Sequence, residues 1–151
     1  MTRRGIELVK RFEGFSPTLY YCPAGIPTIG YGVVVHDVEK WKNVRLTREE
    51  AEKMLIEILT KYEALVRRAL NYKKLHDYCY DALVSFTYNV GIGAFRASTL
   101  RRKILRGELL DASNEFERWI YAGGRPLEGL RRRRRAEKEL YLEGLRLMGA
   151  C

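Results

Sequence analysis

Glu13 is the only carboxylate between Phe12 and Gly32, in a stretch that reads FEGFSPTLYYCPAGIPTIGYG. Ile6, Val9 and Glu13 fall at i, i+3 and i+7, so a helix through them sets the carboxyl on its apolar stripe. That helix would stop at Gly14, leaving the carboxyl at the negative end of the helix dipole. Apolar surroundings and the negative pole both favour the neutral acid, the form that general acid catalysis requires. Hydrolytic chemistry of this kind ordinarily uses a second acid–base group, and the stretch holds no second carboxylate. The alternative is a surface glutamate that ends a helix.

Near the C-terminus, Leu130, Arg133, Glu137, Leu140, Gly144 and Leu147 recur at helical spacing. Two charged residues therefore sit on an otherwise inward stripe, placed i,i+4 to pair with each other. A buried guanidinium needs a carboxylate, and Glu137 or Glu13 could supply it to Arg133. Arg131, Arg132 and Arg135 point away from the stripe and read as a solvated basic face, with a nucleic-acid patch as the alternative.

The chain around these groups has 151 residues and a formal charge of +9, with 28 basic residues against 19 acidic ones. The length suits one domain, and an apolar fraction of 46% is enough for a core. The charge favours an anionic partner such as nucleic acid, anionic lipid or a cell-wall polymer. No apolar run is long enough to span a membrane, and the first residues lack the apolar segment of a signal peptide, so no membrane anchor is expected. Cys22, Cys79 and Cys151 form no metal-ligand spacing and read as reduced thiols. Neither a metal nor a cofactor is expected.

The elements that must position Glu13 and Arg133 are mostly helices. The first is predicted from Thr2 to Phe12. Thr18 to Tyr21, a turn at Cys22-Pro23-Ala24-Gly25, and Pro27 to Val35 read as a small hairpin. Thr47-Arg48-Glu49-Glu50 has the form of a capping box and opens a long helix to about Leu70. His76 to Val90 is apolar almost all round, which predicts a buried central helix. Shorter helices are expected at Ser98–Arg106 and Leu110–Trp119. Gly123 to Pro126 reads as a loop, and Leu130 to Met148 as the final helix.

Several of these segments resemble one family. Glu13-Gly14, Tyr20, Gly25 and Thr28-Ile29-Gly30-Tyr31-Gly32 are similar to the phage lysozyme family that includes the T4 and P22 enzymes. So are Asp81 to Phe86, Asn89-Val90-Gly91, Gly93-Ala94-Phe95 and Ser98-Thr99-Leu100. Phe116 to Trp119, Gly129-Leu130, Arg133-Arg134 and Glu137 complete the resemblance, in order along essentially the whole chain.

The resemblance implies an α+β fold, mostly helical and T4-lysozyme-like. A lobe with a small sheet would span about residues 13–46, and a long helix about 47–70 would connect it to a helical lobe over about 71–151 plus the N-terminal helix. It implies a muramidase that cuts the β-1,4 bond between N-acetylmuramic acid and N-acetylglucosamine in peptidoglycan glycan strands. Such an enzyme would act as a monomer without specific nucleic acid, made in the cytoplasm of an infected bacterium and released to the wall. The family's catalytic pattern is Glu, Asp, Thr. Glu13 and Thr28 match it, and Cys22 stands at the Asp position. A thiol there implies that Glu13 and Thr28 carry most of the chemistry, with Cys22 as an auxiliary that assists if ionised. Val33 replaces a His that the family often carries after Gly-Tyr-Gly. The resemblance also sets Val34, Tyr88, Asn89 and Thr99 along a saccharide groove, with Arg133 and Glu137 in support.

Overall fold

The computed structural model describes residues 1–150. The third cysteine, Cys151, lies outside them. Helix α1 (Arg3–Glu13) starts at Thr2, whose hydroxyl accepts from the Gly5 N–H at 3.3 Å, and stops at Gly14, with φ +68°. Ile6 and Val9 are its buried apolar residues, so the stripe that leads to Glu13 does face inward.

Strands β1 (Ser16–Tyr21), β2 (Pro27–Gly30) and β3 (Val33–Val34) form an antiparallel sheet in that order. The Gly25 N–H donates to the Cys22 carbonyl at 2.7 Å and closes the expected turn between β1 and β2. Pro27 to Val35 is not one strand. Gly30 and Gly32 take φ +65° and +72°, so the chain reverses at Tyr31 and Val33 pairs with Ile29. A second hairpin is folded onto the first, and the short helix α2 (Val38–Trp41) follows.

Helix α3 (Arg48–Ala69) opens with the complete capping box of Thr47 and Glu50. Leu55, Leu59 and Val66 bury its inner face, against the sheet at one end and α4 (Asp77–Val90) at the other. Every residue of α4 from Cys79 to Thr87 is buried, and the helix packs on α1, α3 and α8 (Glu128–Leu147). The ring of Phe86 sits at its centre. Phe116 and Trp119 meet it edge-on at 5.7 and 5.4 Å between centroids, a geometry worth about 0.5–1.5 kcal/mol per pair beyond area burial.

The remaining segments differ in detail from their sequence reading. Helices α5 (Ile92–Ala97) and α6 (Thr99–Leu105) lead to α7 (Leu109–Ala112), and α7 gives way to a 3-10 turn over Ser113–Arg118 where one helix was expected. Gly123 and Gly124 are not a plain loop. Their φ of +58° and +78° form the tight turn of a second two-stranded sheet, β4 (Tyr121–Ala122) and β5 (Arg125–Pro126). The fold is mostly helical with two small antiparallel sheets.

Candidate active site

Glu13 is the last residue of α1, and 18% of its side chain remains exposed. Arg133 Nη1 donates to Glu13 Oε2 at 2.9 Å, a counter-charge that the pattern of α1 alone does not reveal. The other oxygen, Oε1, faces Gly32. A Cβ at Gly32 would stand 2.5 Å from it, and the backbone there has φ +72°. Glycine is thus required twice, by conformation and by the approach of the carboxyl. The contact brings the end of α1 against the turn between β2 and β3.

The sheet aligns the other candidates. Tyr20 is paired with Thr28 across β1 and β2, and Thr28 with Val34 across β2 and β3. Residues directly opposed in antiparallel strands share a face, so the three form one row. Thr28 is buried, and its hydroxyl donates to the Ile26 carbonyl at 2.9 Å. Its oxygen lone pairs are then left to accept from another group. Val34 is exposed at the end of the row. Cys22, half-buried with a free thiol, follows β1 and is fixed by a bond from its N–H to the Ile26 carbonyl at 3.0 Å. Burial pushes the Tyr20 phenol up, and Glu13 and Cys22 push it further, so all three groups share one electrostatic neighbourhood.

Behind Glu13, α8 buries two arginines and a glutamate. Glu137 accepts from Arg133 Nε at 3.2 Å, Arg134 Nη1 at 2.5 Å and Ser85 Oγ at 2.6 Å. Arg133 also donates to the Ser85 carbonyl at 3.1 Å, and so joins Glu13 to Glu137 as its place on the stripe predicts. The stripe singles out Arg133 from the run, but Arg134 is fully buried as well. The inward arc of α8 is two rows wide, with Leu140 beside Tyr141 and Gly144 beside Leu145, and Arg134 lies on the second row. Burial pushes its guanidinium down, and the Glu137 charge opposes that. Arg134 donates to the Trp119 carbonyl at 2.9 Å and to Asn89 Oδ1. Arg131, Arg132 and Arg135 are exposed, as expected.

A chamber of about 570 Å³ opens beside Glu13, lined by Arg11, Asn89, Leu130, Arg132 and Arg133 among others. Of the groove residues, Asn89 is exposed and belongs to this chamber. Tyr88 braces the sheet instead. Its hydroxyl donates to the Gly32 carbonyl at 2.9 Å, and its ring meets Tyr62 edge-on at 5.3 Å. Burial pushes the Tyr88 phenol up, and the nearby Glu13 charge adds to the effect. Thr99 begins α6, accepts from Arg102 Nη2 at 2.8 Å, and does not line the chamber. Among the described residues no group of three His, Cys, Asp or Glu side chains could hold a metal ion. No helix among them is long and apolar enough to cross a membrane.

Residues 10–137 match the family described as phage lysozyme. The chain is 37% identical over 149 residues to the endolysin of Acyrthosiphon pisum secondary endosymbiont phage 1, covering 93% of this chain and 97% of that protein. It is 36% identical over 149 residues to the endolysin of Bacillus phage B103, covering 95% of this chain but about half, 54%, of that longer protein. The muramidase domain of SpmX from Asticaccaulis excentricus superposes with a TM-score of 0.82 at 34% identity, over 93% of this chain and 96% of that domain. The family model covers most of the chain, the likeness in sequence and fold runs along its whole length, and the chain belongs to the phage lysozyme family.

Proposed function

We propose that the chain is a muramidase that hydrolyses the β-1,4 bond between N-acetylmuramic acid and N-acetylglucosamine in peptidoglycan, and so lyses bacterial cells. The cleft would lie between the sheet-bearing segment and the helices of α4 and α8. The observation that carries the reading is the Glu13 carboxyl, held by Arg133 through one oxygen and turned by the other toward the β2–β3 turn. Glu13 gives a proton to the glycosidic oxygen as the bond breaks. Water attacks the anomeric carbon from the opposite face, and the hydrogen that it keeps in the new hydroxyl is hydrogen-bonded to Thr28, whose own proton is engaged with Ile26. The water's other proton passes to Cys22 when the thiol is ionised, and otherwise to bulk water. A nucleic-acid reading of the arginine run is weakened because Arg133 and Arg134 face inward.

Purified sacculi test the reaction. Their turbidity should fall, and new reducing ends should appear on muramic acid. Reducing ends on glucosamine, or binding without release of soluble glycan, would refute the proposal.

Two substitutions probe the hairpin. A carboxylate is ionised at neutral pH, whereas an ordinary thiol is mostly protonated, so Cys22→Asp should hydrolyse at least as fast as wild type. Cys22→Ala should be slower but active, because Thr28 still orients the water. Rates measured against pH decide the matter: if Ala abolishes turnover and Asp does not restore it, the thiol has a role of its own. Gly32→Ala should strain the backbone by about 1–2 kcal/mol and lower Tm by ~2–8 °C. It should also displace the Glu13 carboxyl, so hydrolysis well below Tm should drop by at least ~10-fold, as for a misplaced catalytic group. Wild-type rates in this variant would show that the Gly32 contact does not matter.

A further inference from the structure

The acid and the water-holding hydroxyl of the proposed reaction ride on different parts of the chain. Glu13 ends α1 and is tied to α8 through Arg133. Thr28 sits on β2, in the sheet. Their relative placement therefore depends on how the sheet is held against the helices. The two parts meet at the β2–β3 turn, where Gly32 approaches Glu13 Oε1. That turn is pliant by composition, because Gly30 and Gly32 flank Tyr31 and both take positive φ. Tyr88 of α4 constrains it from outside. The Tyr88 hydroxyl donates to the Gly32 carbonyl at 2.9 Å and stands 3.4 Å from the Tyr31 carbonyl oxygen. Among the described residues, these are the only side-chain hydrogen bonds that join residues 14–46 to the rest of the chain. The ring of Tyr62, on α3, meets the Tyr88 ring edge-on at 5.3 Å, so the donor is itself held from behind. Burial and the Glu13 charge push the Tyr88 phenol up, so it stays protonated, and a donor, well above neutral pH.

We infer that Tyr88 is a positioning residue, whose hydroxyl latches the β2–β3 turn to α4 and so holds Thr28 in register with Glu13. This rests on the muramidase reading and deepens it. Proton delivery and water attack take place on opposite faces of one anomeric carbon, so the two groups must keep a fixed separation. With the latch open, the turn swings on its two glycines, and Glu13 Oε1 loses the wall that it faces. Tyr88 acts through the Gly32 carbonyl and not on the sugar, so its hydroxyl governs the chemical step more than binding.

Tyr88→Phe tests this, because it keeps the ring against Tyr62 and removes the hydroxyl alone. Tyr141→Phe is the matched control, since the buried Tyr141 donates its hydroxyl to the Leu109 carbonyl of α7 at 2.6 Å. Each variant loses one hydroxyl-to-carbonyl bond, so each should lower Tm by about 2–8 °C. At temperatures where both are folded, only Tyr88→Phe should lower kcat, by at least ~10-fold, with KM within about twofold of wild type. Equal effects of the two variants on kcat, or a loss in Tyr88→Phe carried by KM, overturns the assignment. Gly32→Ala disturbs the same contact, so the double variant with Tyr88→Phe should lose less than the product of the separate losses. Losses that multiply in full overturn the route through Gly32. Amide hydrogen exchange reads the latch without turnover. Exchange over residues 31–33 should be about 5-fold faster in Tyr88→Phe and unchanged in Tyr141→Phe. Equal exchange in wild type and Tyr88→Phe overturns the latch. Faster exchange in Tyr88→Phe, together with no hydrolysis by wild type, would instead refute the muramidase reading and leave the latch standing.

Discussion

Glu13→Gln is expected to lower the rate of wall hydrolysis by at least ~10²-fold, the usual contribution of a positioned general acid. The substitution keeps the shape of the side chain and an oxygen that can accept from Arg133, but removes the transferable proton. Arg133 would keep its bonds to Glu137 and to the Ser85 carbonyl, at 3.2 and 3.1 Å. The network therefore stays closed, and Tm should move by no more than about 4 °C. Binding of glycan should persist, because the side chain keeps its shape and the row of Tyr20, Thr28 and Val34 is untouched. Together these outcomes separate a chemical role from a structural one. Hydrolysis within a few-fold of wild type would remove Glu13 from the mechanism, and a collapse of Tm would show that its loss acts through folding.

Much of the scaffold could be read from local pattern, because local chemistry decides it. Thr2 and Gly14 bound α1, and Thr47 with Glu50 opens α3, since caps are settled by the residues that make them. The burial of α4 follows from its nearly continuous apolar surface. Both hairpin errors have one cause. Glycines with positive φ reverse the chain at Gly30–Gly32 and at Gly123–Gly124, but the same residues also suit a bent strand or an open loop. The pairing that decides between those outcomes is a tertiary fact. In the site, Glu13 and Arg133 stand out because a charge on an apolar stripe is anomalous within a single helix. Cys22 and Thr28 carry no such anomaly, and family resemblance alone marks them. Gly32 depends on where α1 ends relative to the sheet, and Arg134 on the width of the arc that α8 buries. Neither quantity exists at the level of one element. Tyr88 illustrates the same limit: the resemblance sets it along the groove, and only the tertiary structure shows its hydroxyl bound to the Gly32 carbonyl.

Glu137→Gln should cause the largest loss of stability among these substitutions. The carboxylate is fully buried and accepts from Arg133, Arg134 and Ser85, so among the described residues it is the only anion paired with Arg134 and the inner of two paired with Arg133. A buried pair contributes little net stability when intact, because desolvation offsets the attraction. Removing one partner leaves an uncompensated buried charge and costs about 3–5 kcal/mol. For a chain of this size that corresponds to a fall in Tm of roughly 6–20 °C. Glu128→Gln is the matched control. Glu128 is exposed and meets Arg131 at 3.6 Å, so its loss should cost no more than about 1 kcal/mol. Arg133→Met should resemble Glu137→Gln in melting, whereas Arg132→Met should resemble the control. The double variant Arg134→Met/Glu137→Met should melt above Glu137→Gln alone, since it removes the stranded cation together with its partner. The network also orients the chemistry, because Arg133 holds Glu13 and Arg134 holds Asn89. Glu137→Gln should therefore reduce kcat even at temperatures where it is fully folded. Equal melting of Glu137→Gln and Glu128→Gln would show that solvent reaches the two arginines, and that the interior of α8 is not the charged core described above.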